Sequence, residues 1–116
     1  MPSPADPRRI IVEIRIYYLK PGTRTRFLEI FKSRSMPLHE DIGMPIVGPF
    51  IDLEHDDRFS FLRLFPSLGE RDSMKDAFYG GVVWKNELEE TLMPMIERYE
   101  VMLTEYTSDT VDVPWI

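Results

Sequence analysis

Between Ile10 and Leu19 the side chains alternate in character: Val12, Ile14, Ile16 and Tyr18 fall on one face of an extended chain, and Glu13, Arg15 and Tyr17 fall on the other. A period of two predicts a strand with unlike faces. Lys20-Pro21-Gly22 stops it, because Pro21 has no amide donor and Gly22 tolerates positive φ, and Thr23 is placed to cap a following helix. There the period lengthens. Phe27, Leu28, Ile30 and Phe31 form an apolar stripe among Arg24, Arg26, Glu29 and Lys32, so the helix packs one side on something. Pro37 removes a backbone donor and predicts a break, with Met36 to Ile42 a kink or a second short helix and Gly43 its terminator.

Pro45 to Leu53 carries Ile46, Val47, Phe50, Ile51 and Leu53, but its Gly48-Pro49 pair suits an edge strand or a bulge rather than a central strand. A polar tip, Glu54 to Asp57, leads into Arg58 to Phe65, where Phe59, Phe61 and Phe65 share one face and Leu62 and Leu64 the other. Ser67 followed by Glu70 is a helix-start pattern, each side chain being able to satisfy an orphan amide, and predicts a helix from Leu68 to Tyr79. Gly80-Gly81 breaks it, Val82 to Met93 restarts helically on Val83, Trp84, Leu88 and Leu92, and Pro94 interferes. From Met95 to Thr107, Tyr99, Val101 and Leu103 alternate with Glu100, Met102 and Thr104, which fits a fourth strand, with a longer helix as the alternative.

The order strand, helix, strand, strand, helix, strand is the split βαβ pattern of an α+β, ferredoxin-like domain: a four-stranded antiparallel sheet with helices on one face. The other face then needs cover. With Phe59, Phe61 and Phe65 opposed by Leu62 and Leu64, neither side of strand three is polar, and each large side chain left in water forgoes roughly 1.5–3 kcal/mol. A second copy packing sheet to sheet removes the exposed patch.

Composition narrows the class. The 116 residues carry Lys+Arg 14 against Asp+Glu 20, a formal charge of −6, with 43% hydrophobic and 29% charged residues, which is the size and make-up of one folded domain. We expect residues 10–107 to form it, with 1–9 a flexible proline-rich arm and 108–116 a tail ending in Pro114-Trp115-Ile116. The acidic balance argues against nucleic acid, whose non-specific affinity comes from Lys and Arg displacing counterions. No run of about 18 apolar residues is present to span a bilayer. The absence of cysteine excludes disulfides and thiolate chemistry and makes a cytoplasmic location the expectation.

Glu13-Ile14-Arg15-Ile16-Tyr17-Tyr18-Leu19-Lys20-Pro21-Gly22 resembles the opening strand and Pro-Gly turn of NIPSNAP-type proteins. Gly48, Ser67-Leu68 with Glu70-Arg71, Trp84 and Tyr99-Glu100 follow in the family's order, so the resemblance covers roughly Ile10 to Tyr106. The proline-rich arm and Gly80-Gly81 depart from it. The resemblance implies a dimeric α/β barrel, in which two ferredoxin-like subunits bring their sheets together. Relatives by fold include cofactor-independent monooxygenases, small-lactone isomerases and haem-dependent chlorite dismutases, so the fold selects no activity.

Three groups of residues could carry chemistry. His39 is the candidate general base, since imidazole titrates near neutrality; the competing reading is a solvated or capping histidine. Arg15 and Tyr17 could orient an anionic or phenolic ligand, with Arg63 and Glu100 available on other strands; the competing reading is a structural Glu13–Arg15 network, which burial would force to pair. Trp84, Phe27 and Phe31, with Phe78 and Tyr79, could line an apolar pocket between helices and sheet, or be simple core. His39-Glu40-Asp41 and His55 with Glu54, Asp56 and Asp57 read as surface charge and not as metal sites, both histidines being expected in exposed segments that suit haem ligation poorly. No cofactor is expected. The functional readings are a dimeric barrel binding a small apolar or aromatic molecule, a cofactor-independent monooxygenase or isomerase, and a non-catalytic interaction module.

Overall fold

In the computed structural model, which describes residues 9–107, the chain folds as β1 (Arg9–Leu19), a first helix α1 spanning residues 24–42, β2 (Ile46–Ile51), β3 (Arg58–Phe65), α2 (Leu68–Tyr79), a third helix α3 spanning residues 82–95, and β4 (Ile96–Thr107). The expected arm except Arg9, which begins β1, and the whole of the expected tail, including Trp115, lie outside the described residues. The sheet order is β2-β3-β1-β4, every neighbouring pair antiparallel. Strand β3 is thus inserted between β1 and β2, the strands joined through α1, and the fold is α+β with the ferredoxin-like topology.

Hairpin and turn chemistry explain most boundaries. The Leu19 and Lys20 amides donate to the Asp57 and Met95 carbonyls, tying the end of β1 to two distant segments. Thr23 occupies the helix-capping position but does not cap: its hydroxyl donates to the Lys20 carbonyl at 2.7 Å, closing the turn instead. Ser67 does cap α2, its hydroxyl accepting from the Glu70 amide. Gly43 ends α1 at φ 82°, a left-handed conformation that favours glycine. The Gly48-Pro49 peptide is cis, and it coincides with a register shift between β2 and β3 on an edge strand.

Pro37 does not break the helix, contrary to the sequence expectation. The ladder widens just before it into a π-helical turn, Phe31–Ser35, where the Met36 amide reaches back to the Phe31 carbonyl, and α-helix resumes as Met36–Ile42 with proline in its first turn. The missing donor therefore falls where the hydrogen-bond pattern is already changing. Helix α3 repeats the device: Trp84–Leu88 is π-helical, and Met93–Met95 around Pro94 tightens to a 3₁₀ turn.

All three helices lie on one face of the sheet. Beneath them, Phe59 and Phe61 from β3, Tyr17 and Leu19 from β1, and Phe27 and Phe31 from α1 form one buried cluster, and Ile11, Met44, Phe65 and Phe78 form another. Alternation puts Leu62 and Leu64 on the opposite face, together with Val12, Ile14, Ile16 and Tyr18. The polar row of β1 thus points inward and its apolar row outward, the reverse of a simple amphipathic strand.

Candidate functional site

The inward row of β1 is the start of the site. Glu13 is fully buried and holds three cations: its Oε1 accepts from Arg15 Nη1 at 2.9 Å, and its Oε2 accepts from Arg71 Nε at 2.6 Å and Lys75 Nζ at 3.2 Å. Burial alone would raise the Glu13 carboxyl, but the hydrogen bond and charge of Arg15, the hydrogen bond of Arg71 and the charge of Lys75 outweigh it and hold it at about 2. Arg71 and Lys75 are one turn apart on α2, and Phe78 continues the same face. A helix that packs through a mixed cationic and aromatic face needs an inward carboxylate on the sheet, and Glu13 supplies it.

Arg63, opposite Glu13 on β3, is also buried. Its Nη1 stands 3.7 Å from Glu13 Oε1, outside hydrogen-bond distance, and its Nε donates to His39 Nε2 at 3.0 Å. The guanidinium lies over the rings of Phe61, Phe78 and Tyr79, 5.3–5.5 Å from their centroids. Arg15 extends to Tyr17, where its Nη2 donates to the phenolic oxygen at 3.3 Å. Burial pushes the Tyr17 phenol up, against the opposing charge of Arg15, so it is the neutral donor form at physiological pH.

The histidine expected at the surface is wholly enclosed. His39 packs against Phe78 with ring centroids 4.4 Å apart, its Nδ1 lies 2.7 Å from the Ser35 carbonyl, and its Nε2 receives Arg63. A donor at Nδ1 and an acceptor at Nε2 define one neutral tautomer. Burial and the charge of Arg63 lower its pKa to about 4. Both nitrogens are thus engaged, which leaves no lone pair for iron; His55 sits on the exposed β2–β3 turn beside Arg58. The histidines therefore do not fit an axial haem ligand. Among the described residues, no three His, Cys, Asp or Glu side chains converge on a point where a metal could sit.

Between the sheet and the helices lies a cavity of about 460 Å³, a size suited to a small organic molecule. Its wall brings together Arg15, Tyr17, Phe27, Phe31, Arg63 and Trp84, all candidates from the sequence, while His39 stands behind Arg63. Phe78 and Tyr79 also line it, whereas Glu100 lies on the other face and pairs with Arg98. The π-helical turns of α1 and α3 contribute Phe31, Ser35, Trp84 and Lys85 to the wall. The helices leave the inward row of β4 uncovered, so that Tyr99, opposite Tyr17, is 51% exposed at one side of the cavity. Sequence reasoning missed Lys75, Lys85, Ser35 and the buried role of Arg71. The 71, 75, 78 spacing on α2 was the available signal for two of these.

Among the described residues no helix is long and apolar enough to cross a membrane. Similar solved structures include an uncharacterised NIPSNAP-like domain protein from Burkholderia xenovorans, with TM-score 0.78 at 20% identity over 90% of this chain and 91% of that one. A NIPSNAP family protein from Agrobacterium tumefaciens gives TM-score 0.77 at 20% identity over 86% and 88% of the two chains. A proposed antibiotic biosynthesis monooxygenase from Bacteriodes thetaiotaomicron shares the fold at TM-score 0.66 and 10% identity over 82% and 87%. No functionally curated protein matches. The family model for NIPSNAP matches residues 12–109, from within β1 through the end of β4 and including every residue that lines the cavity, and the chain belongs to the NIPSNAP family.

Proposed function

We propose that this protein binds a small, largely aromatic molecule in the cavity between helices and sheet, as a homodimer closed through the open faces of two sheets. The observation that carries the binding reading is the wall itself. Phe27, Phe31, Phe78 and Trp84 provide aromatic surface, while Arg15, Tyr17 and Arg63 converge as polar groups from two adjacent strands. Tyr17 already accepts from Arg15, so its own proton remains to be donated to a ligand. Tyr17 and Arg15 border the cavity, whereas His39, the candidate general base, holds Arg63 from behind. A catalytic variant of this reading, a monooxygenase or isomerase without cofactor, would therefore act through the phenol.

Thermal-shift and native mass-spectrometric screening against small aromatic and quinone-like compounds tests the cavity. A compound should stabilise the wild type, and Trp84→Ala should abolish its effect. Stabilisation that survives Trp84→Ala, or silence across the panel, would overturn the assignment.

The dimer rests on an apolar row that crosses the sheet face turned away from the helices: Val47, Leu62, Ile14 and Met102 stand opposite one another in register, one from each strand. Met102 is 56% exposed and Phe50 48%. Burying such a row is worth roughly 1.5–3 kcal/mol per large side chain. Sedimentation should show a dimer at micromolar concentration that Ile14→Glu converts to a folded protomer. A wild-type monomer at that concentration would overturn this part of the proposal.

A further inference from the structure

We infer that the ligand of this cavity is an anion, a small aromatic carboxylate or phenolate, whose charged oxygen sits between Arg15 and Arg63 while its ring lies against Phe31 and Trp84. The inference rests on the cavity being a ligand site and adds the chemical class of what it holds.

The charges around the cavity do not balance. Among the described residues its wall carries Arg15, Arg63, Lys75 and Lys85 against Glu89 alone, in a chain whose formal charge is −6. Glu13, behind the wall, cannot make up the difference. Its two oxygens already accept from Arg15, Arg71 and Lys75, and Arg63 is left at 3.7 Å. Two guanidinium nitrogens, Arg15 Nε and Arg63 Nη1, are buried with no hydrogen-bond acceptor among the described residues. Their side chains are only 6% and 3% exposed. A buried cation without its acceptors is costly, and an oxyanion supplied by a ligand is the group that satisfies both charge and hydrogen bonds.

The partner chosen for Arg63 points the same way. Glu13 stays at ion-pair range from Arg63 without a hydrogen bond, 3.7 Å from Nη1, and the guanidinium donates from Nε to a neutral imidazole instead. His39 fixes the plane of the guanidinium without cancelling its charge, and Nη1 is left without a hydrogen-bond acceptor among the described residues. His39 is in this sense a positioning residue for Arg63. Phe61, Phe78 and Tyr79 around the guanidinium exclude competing water and leave it weakly solvated. The arrangement selects a flat oxyanion on an aromatic body.

Calorimetric titration with matched pairs tests this: benzoate against benzamide and naphthoate against naphthamide, each amide sharing its acid's shape without the charge. The wild type should bind at least one acid about tenfold or more tightly than its amide, a difference of about 1.4 kcal/mol. In Arg63→Gln and in Arg15→Gln the acid and amide should bind within about twofold of each other, and Arg63→Lys should restore part of the preference. The wild-type comparison stands even if a variant fails to fold. An amide that binds as well as its acid, in a manner lost in Trp84→Ala, would overturn the anion and leave the cavity reading intact. No binding by either member of either pair would also overturn it, and the wider aromatic panel then decides the cavity reading separately.

Discussion

Replacing His39 with glutamine should remove most of the protein's sensitivity to mild acid. In the folded chain the imidazole titrates at about 4, against an ordinary value of 6.5. Between those values the unfolded chain binds a proton that the folded chain refuses, so stability rises with pH there. The contribution is complete above 6.5 and is lost as pH falls from 6.5 toward 4. Each tenfold difference in proton affinity is worth about 1.4 kcal/mol, which makes the whole effect about 3 kcal/mol. Glu13 works in the same direction but lower, its contribution being lost from 4.5 down to about 2. The interval from 6.5 to 4.5 therefore belongs chiefly to His39. Urea unfolding at fixed protomer concentration, repeated at several pH values across that interval, should show the wild type losing about 2 to 3 kcal/mol. In His39→Gln the side-chain oxygen can still accept from Arg63 and cannot titrate. The variant should be less stable at neutral pH, having lost the ring packed against Phe78, and its stability should be nearly flat across the interval. An unchanged slope in the variant, or an imidazole seen by NMR to titrate near its ordinary value, would refute the assignment of a buried neutral tautomer.

Two further substitutions probe the scaffold. Glu13→Gln strips the carboxylate from Arg15, Arg71 and Lys75 while keeping its shape, and should cost about 3–5 kcal/mol in chemical unfolding at neutral pH, the usual penalty for leaving buried charge uncompensated. A loss below about 1 kcal/mol would mean that the cations are solvated. Gly48→Ala should cost about 1–3 kcal/mol by the same assay, because Gly48 has φ 126° and an added methyl would stand 3.1 Å from Phe61 Cβ and 3.3 Å from its Cα, inside the sheet. A variant as stable as the wild type would show that the bulge can relax.

The strands and helices were legible in the sequence because their determinants are local. Alternation in Arg58 to Phe65, the Ser67 cap and the Pro-Gly turn at residues 21–22 each act within a few residues, and each element they predict is present. The orientation of β1 is a different matter. Its pattern shows two unlike faces, but hydropathy alone would send Glu13 and Arg15 outward. They point inward because Arg71 and Lys75 arrive from 58 and 62 residues further along the chain to meet Glu13. His39 was misjudged for the same reason, since its neighbours Glu40 and Asp41 suggest a wet surface and its partner Arg63 is 24 residues away. Pro37 failed as a signal on a shorter scale. A proline forbids one hydrogen bond, and whether the chain breaks or widens to absorb the loss depends on what the next turn packs against.

The two widened turns, Phe31–Ser35 and Trp84–Leu88, each amount to an α-helix carrying one additional residue, and each delivers side chains to the cavity. Length changes of a single codon at these positions can rotate Phe31 or Trp84 around its helix while the strands keep their pairing. At the partly buried Trp84 such a change would refit the chamber to a different guest with little disturbance of the platform below, whereas at Phe31, packed on Phe59 and Phe61, it would disturb the platform as well.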